Sequence, residues 1–592
     1  MAKGGPSSDQ MVERGILALQ NWLGDDSLFL QPVSPRGDDV VTLEYALPAD
    51  YSGVKRTVRI GFPAGFPAKS VLISVEPSPW LVWPHAMRNS ICLFGPRQRP
   101  ASGTPEEVVH ESMRRLGKLV SLVMPSGDPV LRQREFDQEI SSYWNQQLRA
   151  ASGQLILLRR PDAAAPLVTL SDERPCRGAR ESYWLAQDKA ELMHHWKRLT
   201  GESRAVRDPA AAAFYLPLVS TPDARLPAPG ELPEWLQSHV RDKDLAAFRA
   251  WNDQSAVFPL RWLLLRLPGG NAPLHYAFVL RGAGMKSNGH RTYGRRAARR
   301  APHEALGSNL PRALEGARIH VLDRSQVHSR DLEQAKLDLA AEHVVVVGAG
   351  SLGSAIATQL ARSGVGHLTL VDPELLEDAN LGRHALGMDD LGNSKAKALC
   401  DRLRRDVPTV RVTAIEDYVQ FAYARDPAIF RQADLIISST ADWPSELALW
   451  DIKAKGATWA FIQAWSEPFA HVGQALMAPP GAFDGRPLFD ASGRFHHKMS
   501  RWPEDGIHPL PGCGESYIPG GPVALTLIAA TVARSAIGAL TAECASPAWY
   551  TSIDSPDAIT AAGGSYHGPP LPEGAKQLTL ERPWPASLLG AS

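Results

Sequence analysis

The stretch HVVVVGAGSLGSAIA, residues 343–357, constrains the fold more than any other part of the chain. Four consecutive valines read as a strand buried on both faces, the pattern of an interior strand in a parallel sheet. Gly348, Gly350 and Gly353 follow in the spacing G-x-G-x-x-G, and a small-residue helix opens at the turn. Gly348 permits the tight turn, Gly350 lets a phosphate approach the backbone, and Gly353 lets the helix pack closely on the sheet. Such a turn cradles a nucleotide phosphate. By itself it fits a dinucleotide that carries hydride as well as an ATP that is split.

The residues that follow decide between the two. Asp372 ends the next strand-like run, 24 residues after Gly348, where a carboxylate can bind ribose hydroxyls. Asn380, Arg383 and Lys395 come within the 23 residues after Asp372. A dinucleotide pyrophosphate is served by backbone amides and a helix end, and has little use for further cations. A triphosphate displaced at its α-phosphorus needs fixed positive charge and a metal to hold the leaving pyrophosphate. Asp442, in IISSTADWP just past the next hydrophobic strand, stands where a magnesium carboxylate is wanted. The cofactors expected are therefore ATP and Mg2+. An NAD-dependent oxidoreductase remains the alternative that gives these residues no task.

At 592 residues the chain is too long for one core. From about 336 strand- and helix-like runs alternate (EHVVVVGAG, HLTLVDPE, SKAKALCDRLRRD, VRVTAIED, ADLIISST, TWAFIQAW), which predicts an α/β doubly wound domain over 336–592. Residues 1–150 read as an α+β domain. A helix over 9–23 precedes three β-like runs, DVVTLEYAL, VKRTVRIGF and SVLISVEP; a Pro- and Trp-rich stretch and helices over TPEEVVHESMRRLGKLVSLVM and REFDQEISSYWNQQL follow. Residues 151–335 read as a mixed α/β middle domain without a sharp motif. Its strand candidates are GQLILLRRP, AAFYLPLVS, FPLRWLLLRL and LHYAFVLRG. Arg291, Arg295, Arg296, Arg299 and Arg300 cluster there, as a solvated loop or as a surface for an anionic partner.

Lys and Arg number 63 and Asp and Glu 63, so no overall field draws the chain to nucleic acid or anionic membrane. The longest apolar runs, RWLLLRLPG and VALTLIAATVA, are too short or too rich in small residues to span a bilayer, and MAKGGPSSDQMVERG lacks the apolar core of a signal peptide. The expectation is a cytoplasmic protein. Five cysteines with no C-x-x-C pair argue against a disulfide framework and a structural zinc site, and leave single thiols as candidate nucleophiles. Cys513, in HPLPGCGESYIPGGPVALTLIAATVARS, lies in a Pro- and Gly-rich loop before a long helix, where local positive potential lowers a thiol pKa. Cys544 is its rival for that role. Cys400 reads as a packed core residue. Cys92 sits in NSICLFGP, shortly after WPHA.

The run VVVVGAGSLGS…LARSGVGHLTLVDPELLEDANLGRHALG…LGNSKAKAL…STAD resembles a ThiF-type adenylation domain, the core of ubiquitin-activating enzymes and their bacterial relatives. The resemblance covers about 336–545. It implies that Asp372 binds the ATP ribose, that Asn380, Arg383 and Lys395 contact the phosphates, and that Asp442 holds magnesium. Residues 1–150, with WPHA ahead of NSICLFGP, resemble a ubiquitin-conjugating domain, in which H-P-N precedes a cysteine. Here the order is Pro84-His85 with no asparagine next, which leaves the positioning role to Asn89 or His85. The combination resembles the fused activating–conjugating enzymes of CBASS antiphage operons. That resemblance implies ATP-dependent activation of a partner's C-terminal glycine, a thioester on Cys513 and then on Cys92, and conjugation to a target amine. The partner implied is a cGAS/DncV-like nucleotidyltransferase, or alternatively a small ubiquitin-like protein, and the enzyme is expected to be a homodimer.

Overall fold

The structure, a computed structural model, describes residues 7–94, 103–172, 182–200, 211–258, 260–268, 274–281, 314–330, 338–509, 516–541 and 546–585. The arginine cluster at 291–300 lies outside them. The chain forms two compact units, one of Met1–Leu155, Pro161–Gln187 and Arg207–His320, the other of Ile156–Arg160, Asp188–Val206 and Val321–Ser592.

The first unit opens with helix Ser8–Leu23, whose start is fixed by a reciprocal cap between Ser7 and Gln10. Strands Gln31–Val33, Asp39–Ala49, Lys55–Pro63 and Leu72–Glu76 then form an antiparallel meander. Its alternating inward residues, among them Val58, Ile60, Phe62, Ile73 and Val75, pack with Leu19 and with Val108, Met113 and Leu116 of helix Pro105–Val123. Helix Pro129–Gln147 starts five residues earlier than its apolar pattern predicts, because Asp128 caps it and Pro129 takes the first turn. Its far end carries Trp144, fully buried against Tyr276, Phe278 and Trp235.

Those aromatics belong to a closed barrel. Its strands, in chain order, are Arg149–Leu157, Ala165–Asp172, Ser182–Ala186, Ala211–Pro217, Leu260–Arg266, His275–Arg281 and Glu315–Val321. The sequence suggested four of them and did not show the closure. Ala211–Pro217 runs parallel to Leu260–Arg266, and helices Leu232–His239 and Asp242–Gln254 lie in the connection between them, as a parallel pair requires.

The second unit is built on an eight-stranded sheet. Strands Arg411–Ile415, His367–Val371, His343–Val347, Leu435–Ser438 and Ala460–Ser466 are parallel in that order. Val472–Ala478, Ala548–Asp554 and Gln577–Pro583 extend the sheet antiparallel, so it is mixed rather than purely parallel. The four valines divide between two cores. Val344 and Val346 face helices Ser351–Arg362, Lys395–Asp406 and Pro522–Leu540; Val345 and Val347 face Trp450, Phe430 and Phe461. Helix Pro522–Leu540 is long and apolar enough, by length and composition, to cross a membrane, yet Leu525, Ile528, Ala529 and Val532 pack into the sheet's core.

One buried ion pair anchors the first unit. Asp50 accepts Arg56 Nε at 2.6 Å and Trp83 Nε1 at 2.7 Å, and both charged side chains are almost wholly shielded. Hydrogen bonds from Ser52, Arg56 and Trp83 outweigh the burial that would raise this carboxyl and hold it well below the usual carboxylate range. Asp50→Ala leaves the Arg56 guanidinium buried without its counter-charge and is expected to cost about 3–5 kcal/mol in denaturant unfolding. Asp50→Ala combined with Arg56→Met is expected to recover part of that loss.

Candidate active site

The glycine turn is closed by packing on one side and open on the other. Gly348 has φ +89°, and a β-carbon there would lie 2.9 Å from the Ser439 carbonyl carbon. At Gly353 a β-carbon would lie 1.8 Å from the Gly348 oxygen. At Gly350 it would meet nothing within 4 Å. Gly350 is also the N-cap of helix Ser351–Arg362 and supplies no side chain to its first amides. The first two glycine requirements are therefore steric, and the third position faces free space at a helix N-terminus, where a phosphate is favoured.

Asp372 leaves the end of its strand beneath this turn. It is buried; Oδ2 accepts the Ala349 amide at 2.6 Å and Oδ1 the Glu374 amide at 2.8 Å. Burial raises its pKa, and the two amides and the charge of Lys395 only partly offset this. Each oxygen keeps a second lone pair for a ribose hydroxyl. Lys395, the first residue of helix Lys395–Asp406, is buried and reaches Glu374 Oε2 at 2.5 Å. Asn380 lies in a short 3-10 turn with Oδ1 on the Glu377 amide at 3.1 Å, and its carbonyl accepts the Arg383 amide at 3.0 Å. Arg383 donates through Nη1 to Ile518 O at 3.4 Å, while its Nε is buried without a hydrogen-bond partner. The structure thus ties Arg383 to a segment that begins soon after Cys513.

Two residues that sequence reasoning missed support the loops of the site. His384 donates Nε2–H to Ala349 O at 2.6 Å and accepts the Leu386 amide on Nδ1 at 3.0 Å, which fixes one neutral tautomer. Burial holds its pKa down accordingly. Glu446 lies beneath the loop that carries Asp442. It accepts Gln463 Nε2 at 2.6 Å, Gln463 in turn accepts Trp450 Nε1 at 2.6 Å, and Thr440 Oγ1 stands 3.4 Å from its other oxygen. Nothing in STADWPSE marks that glutamate as buried. Asp442 itself is the N-cap of helix Trp443–Ala454, with Oδ2 on the Ser445 amide at 3.1 Å and on Ser445 Oγ at 2.5 Å. Among the described residues no group of three or more metal-ligating side chains occurs. A lone half-buried carboxylate such as Asp442 nevertheless fits a magnesium ion carried mainly by nucleotide phosphates and water.

In the first unit Cys92 is half-buried, with Sγ 3.4 Å from Phe94 O and its amide on His85 O at 2.8 Å. Burial and then the charge of Glu139 push its thiol up. Among the described residues no hydrogen bond joins Asn89 to Cys92, whereas the His85 carbonyl accepts the Cys92 amide. Cys400 is buried on Val412 O, as a core residue. Cys513 and Cys544 lie outside the described residues.

The ThiF family model matches residues 324–461. That segment is a ThiF-family domain. Its Rossmann-type fold is the adenylation fold of that family. The chain is 32% identical over 173 residues to the ATP-dependent ubiquitin transferase-like protein Cap2 of Enterobacter hormaechei, covering 28% of this chain and 27% of the relative. To Cap2 of Pseudomonas aeruginosa it is 28% identical over 203 residues, 33% and 36% of the two chains. An E. coli MccB structure with AMPCPP and MccA aligns over 38% of this chain and 65% of that one at 16% identity and TM-score 0.28, too loose a likeness to carry an argument. The match thus spans about a quarter to a third of the length of these Cap2 relatives.

Burial, opposed by the Thr440 and Gln463 hydrogen bonds, lifts Glu446 to about 8. The folded ThiF domain therefore holds a proton there that the unfolded chain releases in the ordinary carboxylate range. Stability is expected to fall as pH rises from about 4.5 to about 8, and to level off above that. Glu446→Gln keeps the contact with Gln463 and is expected to flatten this slope in thermal melts across the same window.

Proposed function

We propose that the chain activates the C-terminal carboxylate of a partner protein with ATP and conjugates it to an amine. The observation that carries this reading is the pairing of an open Gly350 turn with Arg383, whose guanidinium Nε is buried and unpartnered and whose Nη1 reaches Ile518. That arrangement suits a triphosphate and an acyl transfer near it better than a nicotinamide dinucleotide.

In the proposed sequence a carboxylate oxygen of the partner attacks the α-phosphorus of ATP. A C–O–P bond forms, the bond to the β-phosphate oxygen breaks, and pyrophosphate leaves with that electron pair. Amides at the start of helix Ser351–Arg362 hold phosphate, Asp372 holds the ribose, and Asn380, Arg383 and Lys395 balance the charge that gathers on the leaving pyrophosphate. Asp442 would hold magnesium, which when bound adds positive charge to the phosphates. The Cys513 thiolate then attacks the acyl carbon and AMP leaves. Cys92 takes the acyl group by thioester exchange, and an amine displaces it to give an amide and the free thiol.

In the proposed division of tasks, residues 1–150 act as a ubiquitin-conjugating-like domain with Cys92, 151–335 as a middle domain, and 336–592 as the adenylation domain. The partner proposed is a cGAS/DncV-like nucleotidyltransferase ending in glycine, within a CBASS-type antiphage system, and the enzyme is proposed to act in the cytoplasm as a homodimer. Incubation with ATP, magnesium and that partner is expected to give a thiol-labile adduct on a non-reducing gel. Cys92→Ala is expected to leave the adduct on the ThiF-domain thiol alone, and Cys513→Ala to abolish it. An undiminished adduct in Cys513→Ala would move that role to Cys544, and a wild-type chain that forms no thiol-labile adduct would overturn the relay.

A further inference from the structure

Near Cys92 two carboxylates and a phenol of the helix Pro129–Gln147 meet the imidazole of His85. Glu135, Glu139 and Tyr143 recur every four residues and so share one face. Against that face stands His85, whose φ of +60° is a conformation that a non-glycine residue keeps only when its neighbours enforce it. Glu139 enforces it twice. Its Oε2 accepts the His85 amide at 3.0 Å, and its Oε1 meets His85 Nδ1 at 2.7 Å. Glu135 Oε2 meets the other ring nitrogen at 3.2 Å, and the Tyr143 hydroxyl donates to Glu139 Oε2 at 3.2 Å. The His85 carbonyl then accepts the Cys92 amide at 2.8 Å, so the residue carrying the thiol hangs from the residue that Glu139 grips.

We infer that Glu139 is the positioning residue of the Cys92 thiol: through His85 it fixes the loop that carries the sulfur, where the sequence lacks the asparagine expected of a conjugating domain. The inference rests on the reading of Cys92 as the acyl-accepting thiol. The electrostatics agree with the geometry. Burial lowers the His85 pKa, but the bonds and charges of Glu139 and Glu135 outweigh it and the net shift is upward. A carboxylate oxygen stands at each ring nitrogen, so the surroundings favour the protonated ring. From the other flanking helix Arg115 donates to Leu93 O at 2.9 Å and lies over the Phe94 ring, with its own charge paired to Glu111 at 2.7 Å. Arg88 lies over the Trp80 ring. Neither arginine cancels the Glu139 charge at the sulfur, and that charge opposes the thiolate.

The test is the pH profile of Cys92 alkylation by iodoacetamide in the full chain, read on the Cys92 peptide by mass spectrometry. Glu139→Gln removes one of two negative charges and one side of the clamp. It is expected to lower the alkylation midpoint and to speed alkylation at neutral pH about three- to tenfold, since one pKa unit is a tenfold change in thiolate. Glu139→Asp keeps the charge and is expected to stay near the wild-type profile. An unshifted profile in Glu139→Gln overturns the inference even if its melting temperature falls, because lost stability alone does not move the titration of one thiol. A shifted profile in a protein that forms no partner adduct would discard the acyl-transfer reading and keep the hold of Glu139 on Cys92.

Discussion

Gly353 approaches the Gly348 carbonyl so closely that no side chain fits between them, and the rest of the ThiF domain is arranged around that contact. It draws the helix Ser351–Arg362 onto the sheet at the place where strand His343–Val347 ends, and leaves Gly350 facing outward. Asp372, one strand over, then holds the turn from below through the Ala349 amide, and His384 holds it from the side through the Ala349 carbonyl. Both backbone polar groups of Ala349 are thereby used by side chains. These bonds brace the turn, and the helix amides at its mouth are the groups without a side-chain cap.

Charge around the turn follows from burial. Lys395 is almost fully buried and its ammonium is paired with an exposed Glu374 carboxylate, which a phosphate can replace. Arg383 has no carboxylate partner among the described residues, only the Ile518 carbonyl. Unlike a surface pair, whose value is small and screened, such half-satisfied cations have most to gain from an anionic ligand.

Much of this was readable from residues alone, and the unread part has a common cause. The strand-turn-helix at 343–362 is local, and four valines alternating between two cores need only the period of a strand. Barrel closure and the antiparallel extension by Val472–Ala478, Ala548–Asp554 and Gln577–Pro583 depend on pairings between distant segments, which periodicity does not encode. The early start of helix Pro129–Gln147 had a signal in Asp128-Pro129, but exposed Val130 and Leu131 break the apolar pattern there. Asp372, Arg383 and Lys395 could be singled out by spacing. His384 and Glu446 could not, since their importance comes from burial and from partners on other elements. On the first unit the sequence pointed to Cys92 and to His85 beside it, while Glu139, some fifty residues on, enters only through the fold.

The central claim is that this turn serves carboxylate activation and not hydride transfer. ATP–pyrophosphate exchange measures it most directly. The account predicts exchange that requires the partner's intact C-terminus, and a loss of about a hundredfold or more when Arg383 is replaced by Ala, the scale of losing one charge stabiliser in a transition state. Absence of exchange with any partner, together with tight binding of NAD, would contradict it.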